Sequence, residues 1–499
     1  MGGAPKRVVV VGGGVSGLVT AYRLIQTSNG TPIDVTVVEA SRSAGGKLRT
    51  SEVAGIPVEE GADSFVVRKP WAIDLCRELG LGEELVAPAP GRAYVWARGG
   101  LRRYPEPSAF GVPASVEELL RWPGLSRGGR VRAATDLLRP RRKDEGDESI
   151  EALATRRMGP EAARVLIGPL LAGIHAGDAA HLGVDATFPE LRRWEAAYGS
   201  LIRGARAAAK AAREREDSGP LFATVWTGLS RLVQVLTRAL GAGRIRTGEL
   251  VEGIERRGPG WAVRAGAGTL QSDAVVLATP AFESSRLLRL AAPEAAAELT
   301  GIPYASTAVV LLVYPPATAE RLPPGSGFIV PPAATDSGGP GPTAITASTW
   351  VSSKWPREEH AGRAVIRCYL GRFGDDETAL ERPDRDLAAA AARDIESASP
   401  LGCEPEATKV VRWPRSMPQY EVGHLDRLAR IDGALAPLPG LFLVGSAYRG
   451  VGVADCVRQA GEAAERVRAF LAAPESTPPR PADPGVTGDG ADLEQEAIT

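Results

Sequence analysis

Cysteine is scarce in this 499-residue chain: Cys76, Cys368, Cys403 and Cys456 stand far apart, and no pair has C-x-x-C spacing. That argues against a zinc ribbon or a disulfide framework and fits a reducing compartment. Histidine is equally thin, since His175, His181, His360 and His424 are separated and make no ligand motif, so no metal site is expected. Long apolar runs are missing too: none reaches the roughly 18 residues that a spanning helix needs. The first residues lead directly into a strand pattern, leaving no room for the charged and apolar regions of a signal peptide. Net charge is nearly absent, with 59 Lys+Arg against 60 Asp+Glu, so nothing global points to nucleic acid. A nucleophile triad and a carboxylate pair are also lacking, and hydrolase and metalloenzyme chemistry fall away with them.

What the chain has is glycine in the right places. Lys6-Arg7 leads into Val8 to Val11, a continuous β-branched run of the kind buried on both faces of a parallel sheet, and three glycines follow before a helical pattern begins. Gly12, Gly14 and Gly17 fit G-x-G-x-x-G: the first turns the chain, the second admits a pyrophosphate to the backbone, and the third lets helix and strand pack closely. Gly13, Val15 and Ser16 complete the turn, whose helix N-terminus offers N–H groups to an anion. A second strand, Asp34 to Val38, ends in Glu39-Ala40 about 20 residues after the last motif glycine, where an acid can accept ribose hydroxyls. Gly45-Gly46 forms another turn, with Arg42 or Lys47 as the cation beside a phosphate. After the Ile56-Pro57 turn, a strand end brings Gly61-Ala62-Asp63-Ser64 back to the same cleft.

Further along, Ile73, Leu75, Cys76 and Leu79 recur at helical spacing over 71–81, making Cys76 a small core residue. Tyr94–Trp96 and Leu101–Tyr104 read as a hairpin turned by Gly99-Gly100. Residues 113–215 read as helical, with Ser149 capping a helix through Met158. Their basic run, Arg127, Arg130, Arg132, Arg139, Arg141, Arg142 and Lys143, suits either an anionic lipid surface or a solvated face balanced by the acids after it. Strands are expected at 244–247, 250–254, 261–263, 274–280, 308–313 and 364–371, and a helix at 385–398. Gly440 to Gly445 is a strand ending in glycine, and Val451-Gly452-Val453 opens a helix whose N–H groups again suit an anion or the electron-rich edge of a ring. The residues beyond 473 are poor in apolar groups and should be disordered.

The glycine fingerprint, Glu39-Ala40, Gly45-Gly46-Lys47 and the 60–64 stretch resemble the flavin amine oxidase superfamily, and Gly173-Ile174-His175-Ala176-Gly177-Asp178 and Gly450 to Cys456 extend the likeness. Within it the chain is most similar to the protoporphyrinogen/coproporphyrinogen III oxidases of the Gram-positive bacterial branch. The resemblance implies an α/β fold: a Rossmann-type FAD-binding domain, an inserted α+β substrate domain and a helical domain of membrane-associated type. Its parts would be 5–82, 219–290 and 438–472 for FAD, 83–103, 196–218 and 291–437 for substrate, and 104–195 for the helical domain, with 473–499 a tail.

The resemblance further implies non-covalent FAD held by Gly12, Gly13, Gly14, Val15, Ser16, Gly17, Glu39, Ala40, Lys47, Gly61, Ala62, Asp63, Ser64, Val251, Trp413, Gly445, Val451, Gly452 and Val453. Lys69 and Tyr369 would lie near the substrate. Ile174 would line its pocket, a core role being equally open from its residue type. Mitochondrial relatives place an arginine near Asp63, and this chain has none there in sequence. The implied reaction is six-electron oxidation of a porphyrinogen with oxygen as acceptor and peroxide as product, in the cytoplasm. Peripheral contact with the membrane and transient contact with the next haem-pathway enzyme are compatible with it. An amine oxidase, a carotenoid desaturase or a flavin-binding scaffold without turnover are the rival readings.

Overall fold

Both faces of strand β1 (Lys6–Val11) are covered, and its four valines divide between two cores. Val8 and Val10 pack with helix α1 (Val15–Gln26), whereas Val9 and Val11 pack on the opposite side, as the two-residue period of a strand requires. The computed structural model describes residues 5–26, 32–143, 146–214, 219–332, 341–375 and 380–473. The expected disordered tail therefore lies, from 474 on, outside the described residues. A five-stranded parallel sheet combines β1 with β2 (Ile33–Glu39), β3 (Ile245–Thr247), β4 (Ala274–Leu277) and β5 (Leu441–Leu443), in spatial order β3-β2-β1-β4-β5. After β5 comes helix α2 (Val453–Ala472), which packs against α1 and helix Pro70–Glu78. Cys76 is wholly buried there, and burial pushes its thiol up to about 12.

The far side of this sheet is covered by three antiparallel strands, Val251–Arg257, Gly260–Ala265 and Gly268–Ser272, with Trp261 buried beneath them. Helices Pro293–Thr300 and His424–Leu435 complete that core through Leu299, Leu428 and Ile431. Both helices were expected with the substrate domain. Helical periodicity identifies a buried face but not the surface that buries it.

The second sheet has seven strands in the order 407–418, 304–313, 365–370, 345–350, 327–329, 93–97 and 100–103. The anticipated hairpin after Tyr94 forms its outer edge, and helix Asp384–Ala398 covers one face with Leu387, Ala391 and Ile395. The edge strand Ala407–Pro418 contains Pro414, which argues against a strand when read in sequence. It is tolerated at the sheet edge, beside a slip in the ladder between Ala305 and Thr307.

A helical layer packs around Leu153, Met158, Leu166, Ile167, Leu171 and Leu191. The Ser149 hydroxyl accepts the Ala152 N–H and caps helix Ile150–Met158. Helix Leu201–Glu214 joins this core through Leu201, Ile202 and Ala205. No helix among the described residues is long and apolar enough to cross a membrane.

Part of the basic run is wired inward. Arg132 donates to the carbonyls of Thr155, Arg156 and Arg157 at the end of helix Ile150–Met158, where a cation also complements the helix dipole. Arg157 is fully buried and spends all five N–H groups: on Asp136 Oδ1 at 2.6 Å, and on the carbonyls of Asp136, Arg139, Pro140 and Gly199. Asp136 Oδ2 accepts the Ser200 hydroxyl and the Ile202 N–H. Without Asp136 the buried Arg157 keeps only a longer contact to Glu195 at 3.4 Å, so Asp136→Ala is expected to destabilise the helical layer by about 3–5 kcal/mol. Replacing both residues with apolar ones, as in Asp136→Leu/Arg157→Met, should recover most of that loss, measured by denaturant unfolding followed by circular dichroism.

Candidate active site

Two glycines bring α1 onto the sheet. Gly12 has φ +106°, and a Cβ there would meet the Ala278 carbonyl oxygen at 2.7 Å. Gly17 packs directly on the Gly12 carbonyl, so any side chain at 17 would push α1 away. Gly14 faces open space. The first N–H groups of α1, those of Val15, Ser16 and Gly17, have no intrahelical acceptor by helix geometry and point the positive end of the dipole into this space. Glu39 Oε2 accepts the Gly13 N–H at 2.6 Å and Oε1 the Ser41 N–H at 2.7 Å. These bonds hold its carboxylate at the end of β2 with lone pairs remaining for hydroxyl donors.

The second glycine turn lies on the first. The Gly45 N–H donates to the Gly13 carbonyl at 2.8 Å, and Gly45 and Gly46 both take positive φ. Lys47 is the inward cation of the two that sequence left open: its Nζ donates to the Ser416 carbonyl, and burial lowers its pKa. Arg42 is exposed and outside the cavity lining. Trp413 Nε1 donates to the Glu60 carbonyl at 2.8 Å, fixing the strand 407–418 against the Gly61–Ser64 segment. The late loop is clamped by Tyr420, whose hydroxyl donates to the Ser446 carbonyl at 2.7 Å and accepts the Gly450 N–H at 2.9 Å. Gly445 then faces open space, and Gly452 precedes the first turn of α2.

These parts share one cavity of about 1190 Å³, above the roughly 300–1,000 Å³ usual for a small-molecule site. It has room for a dinucleotide and a second molecule. Of the residues expected around the cofactor, all but two line it, from Gly12 and Glu39-Ala40 through Gly61–Ser64, Val251 and Trp413 to Gly445 and Val451–Val453. Gly13 and Gly17 act from behind the wall, by locking Glu39 and by packing the turn. The donor set fits a flavin adenine dinucleotide: a helix N-terminus for the pyrophosphate, an acid for the ribose, an apolar contact at Val251, and a second helix N-terminus for the ring edge.

The rest of the cavity is lined by the second sheet and the helical layer. Tyr369 is there, its hydroxyl 3.2 Å from Thr349 Oγ1. Ile174 is 53% exposed and lines the cavity, which removes the core role that its residue type left open. Lys69 is placed elsewhere: its Nζ meets both oxygens of Asp455 at 2.8 and 2.9 Å, outside the lining, so it braces α2. The chain turns outward at Lys69, the N-cap of helix Pro70–Glu78, and adjacency to Gly61–Ser64 in sequence does not survive that turn.

Cations absent from the sequence neighbourhood of Asp63 are present in space. Lys354 Nζ lies 2.8 Å and Arg367 Nη1 3.5 Å from its Oδ2. Burial alone would raise the Asp63 pKa, but these two cations hold it well below the usual carboxylate range. Arg164 and Arg372 are further lining cations, with Glu151 and Asp178 as acids. Asp178 closes the Gly173–Asp178 stretch already singled out, but the other charges formed no motif, and single charges in strand or helix patterns carry no signal of their own. His175 and His424 flank Tyr420, with ring centroids 5.6 and 4.0 Å away, and burial lowers both to about 4, as suits neutral packing groups.

Comparison with known proteins agrees with this geometry. The sequence profile described as flavin containing amine oxidoreductase matches residues 15–468. The coproporphyrinogen III oxidase of Bacillus subtilis (strain 168) is 33% identical over 479 residues, covering 94% of this chain and 100% of that one. Its namesake from Mycobacterium bovis is 35% identical over 469 residues, covering 93% and 97%. A solved structure from Exiguobacterium sp. 255-15, provisionally assigned as a protoporphyrinogen oxidase, superposes with a TM-score of 0.81 at 31% identity, covering 94% of this chain and all of that one. With a matched profile over nearly its whole length and relatives of this closeness, the chain belongs to the flavin-containing amine oxidoreductase family, as an oxidoreductase with a flavin cofactor that stands beside the bacterial coproporphyrinogen III oxidases.

Proposed function

We propose that the protein oxidises coproporphyrinogen III to coproporphyrin III with non-covalently held FAD, passing electrons to oxygen and releasing hydrogen peroxide. The observation that carries this reading is the single cavity that continues from the flavin cradle into a chamber with both apolar and cationic walls. FAD, when bound, supplies two-electron hydride acceptance at its N5, and three such rounds account for the six electrons. Ile174, Val309 and Val330 offer apolar surface to a tetrapyrrole macrocycle, while Lys354, Arg164 and Arg372 offer charge to its propionates. Tyr369 contributes a hydroxyl at the same wall. Aromatisation of the macrocycle supplies driving force, so no strong general base is required of the lining.

Non-covalent attachment is supported by Cys456, the one cysteine among the described lining residues. Burial raises its thiol pKa, and a neutral thiol is a poor nucleophile toward a flavin methyl group. A cytoplasmic site with peripheral contact at the membrane is part of the same reading. It is supported by Val131 and Leu138, 62% and 86% exposed on the helical layer that carries the basic run.

Two measurements test the proposal. Purified holoenzyme should convert coproporphyrinogen III to its fluorescent porphyrin with three peroxides per macrocycle, and should turn over protoporphyrinogen IX, which lacks two propionates, at least several-fold less efficiently. Inactivity on both with FAD bound rejects it, and the reverse preference points to protoporphyrinogen IX. Acid precipitation should release all the flavin into the supernatant; yellow protein in the pellet would instead favour the tethered amine oxidase arrangement.

A further inference from the structure

Beside the flavin cradle, charges are unequally matched. Asp63 Oδ2 faces both Lys354 and Arg367, at 2.8 and 3.5 Å, while its Oδ1 accepts the Ser64 hydroxyl at 2.8 Å. One carboxylate thus serves two cations. Glu59, the other acid near Arg367, is a weaker counter-charge: its Oε1 is occupied by the Leu229 N–H at 2.6 Å and the Thr50 hydroxyl at 3.2 Å, and burial pushes its pKa up to about 7.

Arg367 cannot dispose of the surplus. It is 1% exposed, gives Nη2 to the Gly61 carbonyl at 2.5 Å, and has no hydrogen-bond acceptor for Nε or Nη1 among the described residues. Its guanidinium lies over the Tyr369 ring, 5.2 Å from the centroid. A buried cation with donors unspent is costly unless an anion comes near. Lys354 is the member of the cluster placed to meet one. It lines the cavity, its side chain is 17% exposed, and its ammonium lies 5.2 and 5.9 Å from the centroids of the Trp355 and Phe222 rings. An ammonium has three N–H groups and Asp63 takes one. The paired hydroxyls of Tyr369 and Thr349 line the same cavity.

We infer that Lys354 receives one carboxylate of the substrate, with Asp63 orienting the ammonium and Arg367 supplying the excess positive charge that the carboxylate neutralises. Lys354 is then a substrate-binding residue, and Asp63 and Arg367 are positioning residues. The inference rests on the proposed porphyrinogen reading and deepens it, by assigning one propionate to a residue that no local motif marks.

Lys354→Met and Lys354→Arg, prepared as flavin-loaded enzymes, test it. Lys354→Met should keep its flavin, raise KM for coproporphyrinogen III and Kd for coproporphyrin III about ten-fold or more, and change kcat much less; Lys354→Arg should restore most of the affinity. Coproporphyrin tetramethyl ester, which has no anionic carboxylate, should bind the unsubstituted and Lys354→Met enzymes equally. An unchanged Kd for the free acid, or an equal loss for the ester, overturns the assignment. Loss of flavin from both variants overturns it as well and places Lys354 in the cofactor cradle. An unsubstituted holoenzyme inert on coproporphyrinogen III rejects the broader function and this inference together, a result distinct from an active enzyme indifferent to residue 354.

Discussion

The approach of α1 to the parallel sheet is the constraint on which the site depends. A side chain at position 17 would strike the Gly12 carbonyl, and one at position 12 the Ala278 carbonyl. With neither present, the first turn of α1 sits at the ends of β1 and β4, where its free N–H groups face the cavity. The later parts are built on that placement. Gly45 hydrogen-bonds to the Gly13 carbonyl, stacking the second turn on the first, and α2 packs along α1 so that the loop before it closes the same cavity. Were α1 to move out by the width of a methyl group, the segments that follow residue 440 would have no fixed surface to meet.

Buried charge is handled in two ways, and the difference separates structure from function. In the helical layer Arg157 has an acceptor for each N–H, and Asp136 is satisfied by a hydroxyl and a backbone amide in addition to the arginine. Such a network is complete and asks for no ligand. At the cavity wall, Asp63 is shared by two cations and Arg367 retains unspent donors. This cluster is incomplete without an anion, and it stands where the flavin cradle and the second sheet meet.

Legibility in the sequence followed the range of the interaction. The first strand, its glycine turn and Glu39 were readable because their chemistry is compressed into about 35 residues with a fixed spacing. The hairpin at Tyr94, the Ser149 cap and helix Asp384–Ala398 were readable for the same local reason. Packing partners were not: helix Leu201–Glu214 has an apolar face that would suit either layer, and only the fold assigns it to the helical core. Arg367 occupies one position of an apolar strand run, and its acid comes from residue 63. Lys69 failed in the opposite way. It is close to the cradle in sequence and was expected near the substrate, whereas in space it pairs with Asp455, and Lys354, remote in sequence, lines the cavity together with Arg164 and Arg372.

A division of labour follows from which atoms face the two halves of the cavity. The cofactor half is built largely from backbone N–H groups and glycine clearances, features that depend on chain path more than on side-chain identity, with the side chains of Glu39, Lys47, Asp63 and Trp413 set beside them. The other half is walled by side chains from the second sheet and the helical layer, Ile174, Thr349, Lys354, Tyr369 and Arg372 among them. Those residues can be exchanged without moving α1 or β1, so a single flavin scaffold can accept substrates of different charge. The halves are joined physically at Gly61–Ser64, where the Gly61 carbonyl accepts from Arg367 and Asp63 holds Lys354. This four-residue segment therefore borders both halves of the cavity, whereas Ile174 and Tyr369 lie at the half walled by the helical layer and the second sheet.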